Sequence, residues 1–462
     1  MASAGFVSRP EAPEGQPIGA PARGRSAPGP RFRTPFGFLS IMRRDPLGFM
    51  LRCLREYGDV VHVRFPPWSM FLLLHPRDVR HVLQDNHKNY WKGNVLGKLK
   101  RVAGEGLVFS DGDLWRRQRQ LAQPAFHRQR IAALADMMTT ATAELLARWD
   151  APGATSRPVD VAAEMSRLTL AIVTRALFGT DLGEDEDDFC RAVTGGMTYA
   201  NHLMNHLFTP PLFVPTPANV GGRRAIAGID RIVWKVVERR RREGQDRGDL
   251  LTMMLGAMDD RQLRDEVVTF MVAGHETTAM SLAWTWHLLS GHPAVERRLH
   301  AELEAVLGGR PPTLDDLPAL AYTRMVLDEA MRLYPPAWAT VREAYHDDVV
   351  GGFHLPAGAS VTVSPYVTHR HPDLWEHPEG FDPERFSPER SEGRPDYAYF
   401  PFGGGPRGCI GRQFALMEGH LVLATIAQRY RLEGVPGHPV EADPILTLRP
   451  RHGILMSLRR RG

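Results

Sequence analysis

Residues 402–411, which read FGGGPRGCIG, constrain the fold more than any other part of this chain. Five of these ten residues are glycine, so the backbone can pass very close to a flat or bulky group. Cys409 lies within this loop, and an apolar helix is predicted to follow it over residues 411–429. Free backbone N–H groups at the start of a helix stabilise a thiolate. The loop therefore presents a cysteine suited to ligating something large.

Three simpler interpretations of this loop are a phosphate-binding loop, a buried structural cysteine and an ordinary turn. A phosphate-binding loop normally shows Gly-Lys-Ser/Thr, or a glycine fingerprint directly after a strand, and neither arrangement is present. A lone cysteine is more often a buried core residue than a ligand. The loop by itself leaves these last two interpretations open.

Cysteine usage and charge limit the class of protein. The three cysteines, Cys53, Cys190 and Cys409, are far apart, which excludes a disulfide framework and favours a reducing compartment. The formal charge of +4 is too small to indicate nucleic-acid binding. No stretch approaches the ~20 apolar residues that span a bilayer, and no signal peptide is visible. We expect a soluble, cytoplasmic protein without a transmembrane anchor.

The chain divides into a tail and one domain. Residues 1–35 are rich in Pro, Gly and Arg and predict a flexible tail, whereas residues 36–462 show no linker. Apolar periodicity predicts a mainly α domain with small β-sheets. Strands are expected at 60–65, 70–74, 361–364 and beyond 432. Helices are expected at 113–122, 131–149, 159–178, 185–206, 223–242, 250–258, 261–290, 293–306, 322–333 and 411–429.

The spacing Phe-x-x-Gly-x-Arg-x-Cys-x-Gly in residues 402–411 resembles the haem-binding loop of the cytochrome P-450 family. The resemblance implies that Cys409 is the thiolate ligand of a haem b iron, that Arg407 pairs with a haem propionate and that Phe402 belongs to the haem site. A thiolate ligand favours O–O cleavage. The implied fold is the family's triangular helical prism around a buried haem.

The long helix contains Ala273-Gly274-His275-Glu276-Thr277-Thr278. A threonine within a helix can bond back to the carbonyl four residues earlier, which opens a small groove. Glu276 adds a titratable group. The segment resembles the family's oxygen-activation motif, which implies that Glu276 and Thr277 are catalytic and that Ala273 and Gly274 border the haem. His275 is interpreted as structural.

Glu329 and Arg332 are three residues apart and share one face of a helix. Taken alone this spacing is common, but Arg385 follows within Pro-Glu-Arg-Phe, before the cysteine loop. The order resembles the family's Glu–Arg–Arg cluster. It implies that these three residues are structural rather than catalytic.

Further haem contacts are expected from Trp115, Arg119 and Arg342. Trp115 and Arg119 are four apart on one predicted helical face, and both can donate hydrogen bonds to carboxylates. Arg342 matches a family position that faces a propionate. The alternative for residues 115–119 is an ordinary basic amphipathic helix.

Substrate specificity is expected from residues 90–107, from residues 197–220 and from a third group around the haem. That third group consists of Phe270, Met271, Ala337, Trp338 and Thr340. Together these regions describe an apolar cavity suited to a terpenoid, fatty acyl or polyketide-type substrate, with steroids not excluded. Each residue taken singly is equally compatible with core packing.

The resemblance implies a monooxygenase that inserts one oxygen atom from O2 by hydroxylation or epoxidation. Electrons are expected from a separate ferredoxin or flavodoxin with an NAD(P)H-dependent reductase, since no reductase is fused after the last strands. Arg116, Arg117 and Arg412 are candidate contacts for that acidic partner. The alternatives are a peroxide-driven or rearranging haem-thiolate enzyme, and a non-catalytic haem sensor. Neither alternative needs the Glu276–Thr277 pair.

Overall fold

A computed structural model describes residues 24–93, 97–153, 156–206 and 209–461 of the chain. Helices make up 57% of the structure, against about one third in an average globular protein, which confirms the mainly α prediction. The α-helices in the described residues are α1 (Pro35–Arg44), α2 (Pro46–Tyr57), α3 (Pro76–Arg80), α4 (Lys100–Ala103), α5 (Gly112–Ala122), α6 (Arg128–Ala132), α7 (Ala135–Asp150), α8 (Val161–Phe178), α9 (Asp185–Asn205), α10 (Pro217–Glu243), α11 (Leu250–Leu255), α12 (Asp260–Gly291), α13 (Pro293–Leu307), α14 (Ala321–Leu333), α15 (Pro365–Thr368), α16 (Pro388–Ser391) and α17 (Arg412–Arg429). The strands are β1 (Val60–Phe65), β2 (Trp68–Leu73), β3 (Tyr90–Trp91), β4 (Val159–Asp160), β5 (Thr340–Ala344), β6 (Asp348–Val350), β7 (Phe353–Leu355), β8 (Ser360–Val363), β9 (Tyr430–Gly434), β10 (Ala442–Pro444), β11 (Leu448–Pro450) and β12 (Leu455–Arg460).

Helix α12 is a long, central helix of the domain. Its 32 residues span about 48 Å, and most of its side chains are buried. The Asp259 side chain accepts a hydrogen bond from the Gln262 N–H and caps the first turn. Helices α8, α10, α14 and α17 pack against it. A helix enclosed on several sides is apolar around most of its circumference, which is why α12 shows little amphipathic pattern.

The largest sheet in the described residues has the strand order β1-β2-β8-β5-β3. Strands β1 and β2 pair antiparallel, with Val60 opposite Leu73, and β2 pairs parallel with β8. Strand β5 joins β8 antiparallel and leads Arg342 toward the interior. Strand β12 lies between β4 and β9, while β10 and β11 form a short hairpin. No described helix has the length and apolar character needed to cross a membrane.

The folded domain begins earlier than the composition predicts. The backbone N–H groups of His62 and Arg64, on edge strand β1, donate to the carbonyls of Pro28 and Pro30 at 2.7 and 3.0 Å. Ala27 is buried. Part of the segment predicted as a tail up to residue 35 therefore makes backbone contacts with the domain, while residues 1–23 lie outside the described residues. Side-chain composition missed this pairing because an edge strand needs only carbonyl acceptors, which prolines retain.

Three further differences concern helix boundaries. The sequence interpretation assigned no helix to α1 or α2, although Asp45 caps α2 by accepting from the Gly48 N–H and Pro46 occupies its first turn. The helix predicted at 131–149 is interrupted at residues 133–134 between α6 and α7. Helix α10 begins at Pro217, six residues before its predicted start at 223. Capping residues and N-terminal prolines were the signals that would have corrected the first and third predictions.

Candidate active site

The protein encloses a cavity of about 2320 Å³. Four segments that line it are the loop 400–411, residues 268–282 of α12, residues 336–343 leading into β5, and residues 444–447 between β10 and β11. Ordinary small-molecule pockets measure roughly 300–1,000 Å³. The cavity therefore has room for a large cofactor together with a second molecule.

The cysteine loop is packed tightly against neighbouring segments of the protein. Gly405 has a φ of +62°, and a Cβ there would collide with the carbonyl oxygen of Leu83. A Cβ at Gly404 would collide with the ring of Tyr397. The Cys409 N–H donates to the Phe402 carbonyl at 2.9 Å and closes the loop. The glycines thus let the loop lie directly against Leu83 and Tyr397, and Cys409 and Phe402 line the cavity.

Cys409 is distinguished from the other two cysteines by its position. Cys53 is buried in the core, where burial raises its thiol pKa to about 12, and Cys190 is not among the residues lining the cavity. The Cys409 side chain is exposed toward the cavity that it lines. Burial by surrounding protein raises its pKa, against the opposing effects of the Gly411 N–H and of Arg119. A metal cation bound at the sulfur would instead lower the pKa of Cys409, because the thiolate is the form that ligates a metal.

Three basic side chains lie close together at the cavity: Lys92 is buried, and Arg342 and Arg407 are half-buried. Arg407 pairs with Asp111 and lies over the Trp115 ring, with its guanidinium carbon 4.1 Å from the ring centroid. Burial and, to a smaller extent, the neighbouring Arg407 lower the pKa of Arg342 to about 10. Lys92 is buried, and burial together with Arg407 lowers its pKa as well. Asp111 offsets part of the repulsion among these three basic side chains, and the two carboxylates of a haem would offset more of it.

Arg119 lies closer to the cysteine than to this group of cations. Its guanidinium donates to the Gly408 carbonyl at 2.9 Å. Burial lowers its pKa, and the nearby Cys409 raises it. The structure thus brings Trp115 beside Arg407, and Arg119 beside the cysteine loop, from one helix.

The α12 segment has the local geometry expected from its sequence. The Thr277 hydroxyl donates to the Ala273 carbonyl at 2.8 Å, and Ala273, Gly274, Glu276 and Thr277 all line the cavity. Gly274 also has a packing role, because a Cβ there would lie 2.6 Å from a methyl carbon of Val173 on α8. A backward bond from threonine within a helix occupies a carbonyl that the ladder would otherwise share, which favours a local opening.

Glu276 is held by residues far away in sequence. Arg449 on β11 donates to both of its carboxylate oxygens, at 2.5 and 2.8 Å, and the Thr447 hydroxyl donates to one of them at 3.1 Å. His275 is buried beside it, and burial lowers the His275 pKa, so the ring is neutral near pH 7. Its Nδ1 lies 2.7 Å from the Met271 carbonyl, which agrees with the structural interpretation of this histidine.

Four of the five predicted substrate-pocket residues line the cavity: Phe270, Ala337, Trp338 and Thr340. Met271 does not, since its side chain is completely buried in the core with residues such as Phe189 and Val267. The Met271 side chain therefore contributes to packing of the core rather than to the cavity wall.

The two predicted specificity segments also contribute to the lining. They supply Leu99, Val102, Leu107, Met197, Met204 and Leu212. Residues 94–96, and Leu207 and Phe208, lie outside the described residues.

Glu329, Arg332 and Arg385 form the cluster that the sequence implies. Arg332 donates to both carboxylate oxygens of Glu329, at 2.6 and 2.8 Å, and Arg385 Nε lies 3.3 Å from the same carboxylate. The remaining Arg332 donors reach the carbonyls of His369, Pro378 and Gly380. Glu329 and Arg332 are both fully buried. The cluster thus fixes the segment between α15 and the cysteine loop.

A family model described as Cytochrome P-450 matches residues 28–456. The chain belongs to the cytochrome P-450 family. Cyclooctat-9-en-7-ol 5-monooxygenase of Streptomyces melanosporofaciens is 40% identical over 412 residues, covering 87% of this chain and 88% of that protein. Cyclooctatin synthase of the same organism is 38% identical, covering 89% and 91%. Pentalenene oxygenase of Streptomyces avermitilis is 35% identical, covering 88% and 91%.

This P-450 is therefore a monooxygenase that uses O2 and a haem ligated by a cysteine thiolate, as the sequence predicted. The residues present fit that cofactor. One cavity is lined by a cysteine on a close-packed loop, by the Glu–Thr pair of α12 and by basic side chains that would pair with the propionates.

Sequence reasoning missed Lys92, Arg449 and Thr447. Lys92 donates from its ammonium to the carbonyls of Leu107 and Val108 while lying within the cation group. It is one of five lysines in a chain whose positive charge is otherwise arginine, which was the available signal. No sequence signal marked Arg449 and Thr447, because only the fold brings them to α12.

Proposed function

We propose that this P-450 hydroxylates a C–H bond of a cyclic terpenoid. The observation that supports the proposal most directly is the apolar character of the cavity wall, which includes Leu99, Val102, Phe270, Ala337 and Leu446. A hydrocarbon ring system is bound by such a wall through burial of apolar surface, without a dedicated charged partner. The names of the relatives that act on cyclooctat-9-en-7-ol and pentalenene support the same class of substrate.

We further propose specific roles for the residues of the cavity. Cys409 supplies the thiolate ligand, and the bound haem would supply the activation of O2. Arg342, Arg407, Lys92 and Trp115 hold the propionates by charge and hydrogen bonding.

On α12, the Thr277 hydroxyl and the Glu276 carboxyl hold and transfer the protons that the reaction consumes. The remaining apolar wall orients the substrate and excludes water, and Phe402 packs within the haem site.

A titration of the ferric protein tests the proposed substrate class. The panel consists of cyclooctat-9-en-7-ol, pentalenene, a long-chain fatty acid and a macrolide, and the measurement is the change in the Soret band toward high spin. We expect the two terpenoids to give saturable shifts at lower concentrations than the other two compounds. A fatty acid or macrolide that binds more tightly than both terpenoids contradicts the terpenoid proposal without affecting the monooxygenase assignment.

Electrons are proposed to come from a separate ferredoxin or flavodoxin through an NAD(P)H-dependent reductase. Arg116 and Arg117 on α5 and Arg412 at the start of α17 are exposed, and both helices contribute residues next to Cys409. A positive surface beside the cysteine loop suits an acidic electron donor. Charge on such a surface affects the association rate more than the final affinity.

Reversing one of these charges should slow reduction by the partner. We expect Arg117→Glu to lower the rate of haem reduction by a ferredoxin several-fold at low salt. Higher salt should bring the rate of the variant closer to that of the natural protein, because salt screens exposed charge. Arg224→Glu on α10, also exposed, is the matched control. Stopped-flow reduction under carbon monoxide gives both rates. Equal rates for the two variants would contradict the proposed docking surface.

A further inference from the structure

Both oxygens of the Glu276 carboxylate, which is proposed to move protons, accept hydrogen bonds from other side chains. Its side chain is 2% exposed, and the Arg449 guanidinium meets both of its oxygens while the Thr447 hydroxyl meets one. A guanidinium that contacts a carboxylate through two parallel bonds fixes the plane of that carboxylate as well as its charge. Arg449 therefore determines where the Glu276 oxygens lie relative to Thr277.

Two other titratable groups face Glu276, and neither replaces Arg449. His275 Nε2 lies 3.9 Å from the carboxylate, and burial lowers the pKa of this histidine. Cys190 on α9 is close enough for Glu276 to raise its pKa, which burial and that charge bring to about 12. Both groups are thus uncharged near neutral pH. Among the described groups around Glu276, Arg449 supplies the positive charge.

The β10–β11 hairpin that carries Arg449 and Thr447 also forms part of the cavity wall. Ile445, Leu446 and Thr447 line the cavity between the two strands. The hairpin is anchored by two indoles, since the Trp338 N–H donates to the Ile445 carbonyl at 3.1 Å and the Trp284 N–H donates to the Leu448 carbonyl at 2.9 Å. Thr447 consequently touches the cavity and the acid at the same time.

We propose that Arg449 and Thr447 are positioning residues for proton delivery, which hold the Glu276 carboxylate in register with Thr277. The inference rests on the proposed role of Glu276 and Thr277 and assigns the residues that orient that pair. Each proton that Glu276 passes toward Thr277 leaves a carboxylate behind, and the Arg449 guanidinium stabilises it until a proton returns from solvent. Arg449 is 18% exposed, so it extends from the buried acid toward water.

The test compares Arg449→Ala with Arg451→Ala, a matched control two residues further along the hairpin. Arg451 forms an exposed pair with Glu441 and is not among the cavity-lining residues. The substrate is the panel terpenoid with the largest spin shift. Three quantities are measured: product formed per NAD(P)H consumed, the solvent deuterium isotope effect on product formation, and the concentration that gives half of the spin shift.

We expect Arg449→Ala to lower product per NAD(P)H at least fivefold and to raise the solvent isotope effect, with the spin-shift midpoint changed less than twofold. Arg449→Lys retains the charge but not the two-point contact, so it should recover part of the lost product. Thr447→Val should alter both the midpoint and the isotope effect, because Thr447 contacts cavity and acid alike. Arg451→Ala should resemble the natural protein in all three measurements.

A double-mutant cycle separates the failure of this inference from the failure of the proposed function. If Arg449 acts through Glu276, Glu276→Gln and the double variant Glu276→Gln with Arg449→Ala should have the same product yield. Additive losses would show that Arg449 acts elsewhere, and would overturn the inference alone. A Glu276→Gln variant with unchanged yield and isotope effect would instead overturn the proposed role of the acid. Thermal unfolding of Arg449→Lys and Thr447→Val excludes loss of fold as the cause of either result.

Discussion

Glu329→Gln is expected to lower the free energy of unfolding of this P-450 by about 3–5 kcal/mol, the cost of removing one partner from a buried ion pair. The substitution preserves the size of the side chain but leaves the charges of Arg332 and Arg385 without their carboxylate in the protein interior. Glu329 and Arg332 are completely buried, so water cannot compensate for the loss. Because the cluster fixes the backbone that leads to the cysteine loop, the variant should also retain haem less well.

Chemical unfolding followed by circular dichroism, together with the Soret absorbance per mole of protein, measures both effects. Arg191→Ala is the matched control, since Arg191 pairs with Asp188 at the same spacing of three residues but lies on the surface. Exposed pairs contribute about 0–1 kcal/mol. A Glu329→Gln variant no less stable than Arg191→Ala would show that the buried cluster does not carry the stability assigned to it.

The Glu329 cluster also shows which of its contacts could be predicted from the sequence. The spacing of Glu329 and Arg332 and the later Arg385 were readable in the sequence, and the family pattern indicated that they meet. The carbonyls of His369, Pro378 and Gly380 that accept from Arg332 were not readable, since any residue offers a carbonyl. Side-chain identity predicts charged partners, whereas backbone partners depend on the path of the chain.

The same distinction applies to the cavity. Cys409, Glu276 and Thr277 lie in local motifs, and the structure brings all three to one cavity as expected. Arg449 lies 173 positions after Glu276 on a three-residue strand, and no local pattern connects the two residues. Met271 was also predicted to line the pocket, but its side chain is buried in the core.

The edge of the fold was the least predictable part. The segment 24–34 joins β1 through the carbonyls of prolines, in a stretch whose side chains suggest a flexible tail. The bounds of long helices such as α12 were predicted almost to the residue, because a helix that is buried over many turns has a long pattern of apolar residues in its sequence. Short segments that are held by a few backbone hydrogen bonds show almost no such pattern in their sequence.

Thr277→Ala is expected to separate electron consumption from product formation. The Thr277 hydroxyl lies on a cavity-lining residue directly after Glu276, and a positioned acid–base group contributes about 10²–10⁴-fold to a proton-transfer step. Without it we expect product per NAD(P)H to fall by about 10²-fold. NAD(P)H consumption should continue, with hydrogen peroxide accounting for the electrons.

Two variants determine whether the hydroxyl or the helix is responsible for that loss. Thr277→Ser keeps a hydroxyl and should recover most of the product. Thr285→Ala removes an equivalent backward bond, from the Thr285 hydroxyl to the Ser281 carbonyl, two turns further along α12, and should leave the yield unchanged. Product, peroxide and NAD(P)H are measured together. An unchanged balance in Thr277→Ala would contradict the proton-transfer role and would favour a haem protein that does not use this pair, because neither a peroxide-driven enzyme nor a sensor depends on protons delivered to O2.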